Sequence, residues 1–330
     1  MHILFINRAV IPVFAYSGTE RVIWDLGLAL VKMGHRVSYL VPSGSQCPFG
    51  QVIEIQEELD WQSQIPVDVD VVHFQFNPGL ELTLDRPWLM TQHGNSQVGE
   101  VLPANTVFVS RDHAQRHNAR CHVHNGLDWS AYGPVELSKP DDYFHFLGKA
   151  AWRVKNVQGA IDTCLQAPAN LVVMGGNRLN LKRGFRFTWS RKIQFKGMVG
   201  GETKFSVMRR SKGLVFPVRW HEPFGLAVIE SLYFGCPVFA TPYGALQELV
   251  PAACGVLSNH QSDLAAALTE QLFDRETCHL HARENFNAEK MAQGYLHVYS
   301  SLLSGAPLNE TQPCMIEPAS PLPWLKNSHR

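Results

Sequence analysis

The sequence predicts an α/β protein built from two doubly wound halves, each a parallel sheet covered by helices. Three observations carry this prediction. Short apolar, β-rich runs alternate with segments of helical periodicity, and the alternation is played out twice along the chain. A polar stretch containing Gly133-Pro134 and Lys139-Pro140-Asp141-Asp142 separates the two rounds and suits a linker.

In the first round HILFIN (2–7) is a strand, a helix runs from about Thr19 to Met33, Gly34 ends it, and RVSYLVP (36–42) is the next strand. VDVVHFQ (69–75), WLMTQHG (88–94) and TVFVS (106–110) continue the series. The second round comprises FHFLGK (144–149), NLVVMGG (170–176), KIQFKG (192–197), GLVFPV (213–218) and PVFAT (237–241), with helical segments at 155–166, 201–211 and 223–234. The expected domains are therefore 1–135 and 136–303, facing each other across a cleft. Residues 304–330, rich in proline, read as a surface strap or a mobile tail. In doubly wound sheets ligands sit beyond the carboxyl ends of the strands, so chemistry is sought in the loops that follow strands.

Composition narrows the classes. With 45% hydrophobic and 18% charged residues, 330 residues suffice for two cored domains. Lys plus Arg and Asp plus Glu stand at 29 each, a net charge of +0, which argues against a nucleic-acid partner and against strong adhesion to anionic lipid. A local basic pocket and peripheral membrane contact remain compatible with that balance. Seven scattered cysteines without a Cys-x-x-Cys pair fit free thiols in a reducing compartment. MHILFIN, followed at once by Arg8, reads as a strand rather than a signal peptide. No run is long and apolar enough to span a bilayer, and the expected location is cytoplasmic.

Four post-strand loops carry candidate chemistry. Ser17-Gly18-Thr19 stands immediately before an amphipathic helix, where free N–H groups and the helix dipole favour an anion, although a glycine there is more often simply a turn. LGKAAWRVKN sets Lys149 directly after a strand and Lys155 near the start of the next helix, a pair able to neutralise a diphosphate leaving group; the plain reading is a solvated helix end. WHEPFGLAVIE (220–230) follows a strand and opens a helix, with Pro223 in its first turn and Gly235 at its close. Phe224, Gly225 and Leu226 would present N–H groups at that helix N-terminus, and Glu222 would project into the cleft. At about 100° per residue Glu230 lies roughly 80° around the helix from Glu222 and about two turns deeper, so the two carboxylates do not flank one bond. Glu230, among apolar neighbours, suits hydrogen bonding to ligand hydroxyls. His93 ends the strand in MTQHGNS and reads either as a polar contact or as a satisfied structural histidine.

One competing pattern is His113, His117 and Cys121, spaced four apart, with His122 and His124 beyond. Such spacing aligns ligands for a soft divalent metal. Against it, the segment leads out of a helix into an expected strand CHVHNG and lacks the acid of a His-Glu-x-x-His motif; a polar helix face is the simpler reading.

Taken together these stretches resemble glycosyltransferase family 4, the retaining, nucleotide-sugar-dependent transferases of GT-B fold with two Rossmann-like domains. SGTERVIWDLGLALVKMGHRVSYLVP resembles that family's first loop and helix, HVHNGLDWSAYGP its Asn-Gly-Val-Asp segment, and FLGKAAWRVKNVQGAI its Gly-Arg-x5-Lys phosphate site. FPVRWHEPFGLAVIESLYFGCPVFATPYGALQELV resembles its Glu-x7-Glu signature, ending on Glu248. The resemblance reaches to about residue 303. It implies that Lys149 and Lys155 bind the diphosphate with Gly18, that Glu222 and the Phe224, Gly225 and Leu226 amides hold the donor sugar, that Glu230 binds the ribose, and that His93 lies near the sugar. It also implies a reaction without metal or resident cofactor, the nucleotide sugar being a co-substrate and UDP-glucose or a relative the donor. The resemblance leaves the acceptor unspecified, with a sugar, a lipid-linked sugar and a small molecule as the expected classes. Three departures stand out: Lys149 replaces the family's arginine and loses its bidentate fork, a single glycine precedes the first helix, and Gly175-Gly176-Asn177-Arg178 replaces Gly-x-Gly-Pro.

Alternatives on the same architecture are a sugar-nucleotide epimerase or phosphorylase, and a two-domain sugar-binding protein without catalysis. A glycosidase using Glu222 and Glu230 would need both carboxylates at one bond. A nicotinamide dehydrogenase would need Gly-x-Gly-x-x-Gly after the first strand, which is missing.

Overall fold

The computed structural model describes residues 1–12, 18–180, 186–270 and 272–326, the backbone alone at Arg186. The chain divides into two compact units, Met1–Trp129 with Phe286–Pro318, and Ser130–Asn285 with Ala319–Arg330.

The first unit holds β1 (His2–Ile6), α1 (Thr19–Lys32), β2 (Arg36–Val41), β3 (Gln51–Glu54), α2 (Trp61–Gln64), β4 (Val71–Phe74), β5 (Trp88–Gln92), β6 (Thr106–Phe108) and α3 (Arg111–Gln115). Its six strands are all parallel in the order β3-β2-β1-β4-β5-β6. The second unit holds β7 (Phe144–Leu147), α4 (Val157–Gln166), β8 (Leu171–Met174), a two-stranded hairpin of β9 (Leu179–Asn180) and β10 (Arg186–Phe187), β11 (Ile193–Phe195), α5 (Gly201–Arg210), β12 (Leu214–Phe216), α6 (Leu226–Tyr233), β13 (Val238–Ala240), α7 (Leu246–Leu249), β14 (Gly255–Leu257), α8 (Gln261–Glu270) and α9 (Arg275–Asn285). Its main sheet, also parallel, runs β11-β8-β7-β12-β13-β14. Each unit therefore repeats the doubly wound order, with a switch point where crossovers change direction, between β1 and β4 and between β7 and β12.

The strands are buried on both faces, as parallel sheets under helices must be: all five residues of β1 and all four of β4 and β7 are inaccessible. Three histidines sit inside these strands because both ring nitrogens find partners. His73 bonds Tyr299 Oη at 2.8 Å and Thr91 Oγ1 at 2.7 Å. His145 bonds Ser211 Oγ and Ser231 Oγ, both at 2.8 Å, and His2 reaches Ser38 Oγ at 2.7 Å. A buried imidazole so satisfied avoids the cost of an unmet polar group.

Residues 286–303, expected with the second domain, belong to the first unit. The reason is α10 (Ala288–Leu303), whose inner face carries Met291, Tyr295 and Tyr299; Tyr299 bonds His73 of β4 and Tyr295 bonds Thr91 of β5 at 2.8 Å. The tail beyond it is a strap. Asn309 caps the β6 region, donating to Ala104 O and Thr106 O and accepting from Arg120 N and Cys121 N. Residues 319–326 then pair with the second unit. CHVHNG forms no strand; His122 makes only an isolated bridge to Phe108. Among the described residues no helix is long and apolar enough to cross a membrane.

Candidate functional site

The second unit's switch point gathers two loops. Leaving β7, Gly148 N donates to Met174 O at 3.0 Å and Ala150 N to Gly175 O at 2.9 Å, which ties the Lys149 loop to the end of β8. Lys149 is exposed, its ammonium 5.0 Å from the centroid of Trp152. The chain then makes a single 3-10 turn, Arg153–Lys155, and Asn156 takes a left-handed φ of 52° to cap α4, its side chain accepting from Gly159 N at 3.1 Å and donating to Pro217 O at 2.8 Å. Lys155 thus ends a turn ahead of the helix rather than standing on the helix itself. Arg219 N donates to Val154 O at 2.7 Å, so the loops after β7 and β12 are stitched together.

That stitch brings Lys155 to Glu222. The ammonium donates to Oε1 at 2.9 Å and Oε2 at 2.7 Å, Trp220 Nε1–H donates to Oε2 at 2.6 Å, and the Lys155 ammonium lies 4.6 Å from the Trp220 ring centroid. Only 7% of Glu222 is exposed. A carboxylate so enclosed needs its counter-charge and donors, and the two residues expected at sugar and diphosphate hold each other. Gly244 presses on the Glu222 backbone so closely that a Cβ there would sit 2.3 Å from its carbonyl oxygen, and Ala245 N donates to that oxygen at 2.9 Å.

The helix after Glu222 starts later than the sequence pattern suggests. Pro223 and Phe224 lie before it, Gly225 has a left-handed φ of 109°, and α6 begins at Leu226 with no side chain capping it. A left-handed residue favours glycine, and the uncapped first turn leaves N–H groups without intrahelical acceptors. Because Glu222 is not helical, the angular reckoning between the two glutamates does not apply to it. Glu230 lies within α6, 8% exposed, where Lys204 Nζ donates to its Oε1 at 2.5 Å and Tyr132 Oη–H to the same oxygen at 2.7 Å. Oε2 takes no hydrogen bond from the described residues. Lys204 stands on α5 and Tyr132 in the turn Trp129–Tyr132. Neither was singled out in the sequence: Lys204 is 26 positions from its partner and on a different helix, a relation no local pattern encodes.

In the first unit, Gly18 precedes α1 and is exposed; Ser17 lies outside the described residues. His93, directly after β5, donates its Nε2–H to Gln75 Oε1 at 2.9 Å, and burial lowers its pKa from 6.5 to about 4, so it is neutral near pH 7. Gln75, at the carboxyl end of β4, is 7% exposed and its Nε2 has no partner among the described residues. In the sequence Gln75 stands only as the last residue of the apolar run VDVVHFQ. The His113 pattern resolves into bracing: His113 Nε2 bonds Gly94 O at 3.1 Å, and His117 bonds His113 O at 2.8 Å and Ser96 Oγ at 2.7 Å. These rings fix the loop that carries His93. Among the described residues no group of three His, Cys, Asp or Glu is disposed to hold a metal ion.

Residues 141–274 match the family model described as glycosyl transferases group 1. A curated relative, the O-antigen chain mannosyltransferase C of Escherichia coli, is 24% identical over 177 residues, covering 49% of this chain and 47% of that protein; the match thus spans about half the length of the relative. Among solved structures, AviGT4, a glycosyltransferase involved in avilamycin A biosynthesis, aligns with a TM-score of 0.73 at 20% identity, over 92% of this chain and 98% of that one. HepE from Anabaena, in complex with UDP and glucose, aligns with a TM-score of 0.64 at 13% identity, over 91% and 99%. At these identities the structures establish a common GT-B fold.

Proposed function

We propose, from the premise that this chain is a group 1 glycosyltransferase of GT-B fold, that it moves a hexosyl group from a nucleoside diphosphate sugar, UDP-glucose or a close relative, to an acceptor hydroxyl with retention of configuration. The observation that carries the reading is the buried Lys155–Glu222–Trp220 cluster at the second unit's switch point, with the uncapped end of α6 beside it in sequence and the Glu230 Oε2 acceptor further along that helix. The UDP and glucose of the similar HepE structure support the choice of donor.

In this reading Lys149 and Lys155 take the diphosphate, Glu222 and the amides of Phe224, Gly225 and Leu226 hold the sugar, and Glu230 Oε2 accepts from the ribose. When the donor binds, Lys155 is shared between Glu222 and the phosphate. The acceptor oxygen forms its bond to C1 on the face that the phosphate leaves, the C1–O bond to phosphate breaks, and the acceptor proton passes to the departing phosphate oxygen. No enzymic nucleophile, metal or resident cofactor is called for, since cations and helix amides stabilise the leaving charge. For the first unit, the proposal is that Gln75 and His93 contact a sugar hydroxyl and Gly18 an anion at that unit's own switch point.

A ligand that binds only the folded state raises apparent stability. A thermal-shift panel of nucleotide sugars should show UDP-glucose or a near relative raising the melting temperature, with free glucose inert. A panel in which no nucleotide sugar acts, or free sugars act equally, sinks the reading.

A further inference from the structure

The charge balance of the whole chain hides a local excess. From Thr163 to Gly201 there are seven Lys or Arg residues and no Asp or Glu, in a protein where acids make up 29 of 330 residues. This stretch contains the β9–β10 hairpin, whose sidedness is inverted relative to an ordinary surface ribbon. Phe187 pairs directly with Leu179, and Trp189, two residues on, packs its ring edge-on against Phe187 at 4.7 Å. Opposed residues and residues two apart share one face of a ribbon, so these three form a single apolar face. That face is outward: Leu179 is 48% exposed, Phe187 39% and Trp189 85%, whereas Thr188 between the aromatics is buried. The hairpin base is not loose, because the Arg178 guanidinium donates to Thr188 O at 2.5 Å, Ser190 O at 3.1 Å and Ile193 O at 2.6 Å. Arg191 and Lys196, both exposed, follow it.

We infer that the outer face of this hairpin docks on an anionic lipid bilayer, Trp189 and Phe187 entering the headgroup layer while the adjacent cations pair with lipid phosphates. Aromatic rings settle at that depth because one edge is wet and the body apolar, and cations near an anionic surface add attraction. A second copy of the chain fits less well, since a two-fold contact would set this basic stretch against itself. A nucleic acid would leave the aliphatic Leu179, on the same face as the two aromatic rings, without use.

The test is co-sedimentation of the full chain with vesicles of phosphatidylcholine alone and of phosphatidylcholine with phosphatidylglycerol. Binding is expected only to the anionic vesicles, weakening as salt is raised. Phe187→Ser with Trp189→Ser should weaken it at least about tenfold, the scale for withdrawing a large apolar contact, with an unchanged melting temperature. Arg191→Glu with Lys196→Glu, which leaves the apolar face intact, should weaken it as well. Absence of binding to either vesicle, equal binding by the Ser variant and the parent, or a dimer that the Ser variant dissociates would overturn the assignment.

Discussion

Glu222 keeps its charge out of water because Lys155 and Trp220 meet it with three hydrogen bonds, and this arrangement separates two roles a single substitution can distinguish. Glu222→Gln retains the shape but releases Lys155 from its counter-charge. Transfer should fall by about a hundredfold or more, the scale for removing a polar group that acts on the reacting sugar, while UDP binding by calorimetry stays the same or tightens. Should UDP affinity collapse together with turnover, Glu222 supports the pocket and not the sugar. Lys155→Ala should do the reverse, weakening UDP. At Glu230, Lys204→Ala strips the cation from an ion pair whose lysine and glutamate side chains are 16% and 10% exposed. Loss of one partner of a buried pair costs on the order of 3–5 kcal/mol, less here for the residual exposure. Adding Glu230→Gln should recover part of that loss in a urea-denaturation cycle; strict additivity would show that the contact carries no coupling. Glu222, Lys149 and Lys155 were visible in the sequence because they stand in post-strand loops, and Glu230 because it follows Glu222 at a recognisable spacing. Lys204, Tyr132 and Gln75 were not, since each meets its hydrogen-bond partner only once the chain has folded.

Most strands could be read from runs such as VDVVHFQ and NLVVMGG, because a parallel sheet buried on both faces demands unbroken apolar residues. Short elements without that signature, β3, β14 and the β9–β10 hairpin, could not be read. The proline-rich tail read as a strap or a mobile tail, but what it touches could not be read, since prolines signal only that no helix forms. In the structure it runs beside the loop of Trp220 and Glu222: Leu322 N donates to Arg219 O at 2.8 Å, Arg219 Nε to Leu322 O at 3.0 Å, and His221 N to Ala319 O at 2.8 Å. These bonds bracket Trp220 on both sides. Leu322→Pro removes the strap's donor to Arg219 and should lower turnover several-fold with the melting temperature nearly unchanged, since the bond lies at an edge and not in the core. Equal turnover would show that the strap braces nothing at the site. The bracing by His113 and His117 has its own check. If those rings only hold the loop of His93, a chelator leaves transfer intact, and loss of activity restored by zinc would contradict that.

Across the molecule, several imidazoles are held neutral by burial. His145 is lowered to about 3 and His93 to about 4, from 6.5, and His73 and His113 lie well below that value. Below pH 6.5 the unfolded chain therefore binds more protons than the folded one, so this part of the stability is complete above about pH 6.5 and is lost progressively as pH falls from there toward 4 and 3. The urea midpoint should drop between about pH 7 and about pH 5, and His145→Gln should flatten the slope; a midpoint independent of pH over that range rules this out. The two doubly wound sheets and the post-strand position of the candidate residues followed from sequence alone, because apolar periodicity and strand-end loops are local properties. Which unit α10 joins, where α6 begins, and which cation meets which carboxylate were decided by tertiary structure. Those outcomes depend on pairings between residues far apart in the chain, such as Tyr299 with His73 and Lys204 with Glu230, whose energies exist only once the sheets have formed.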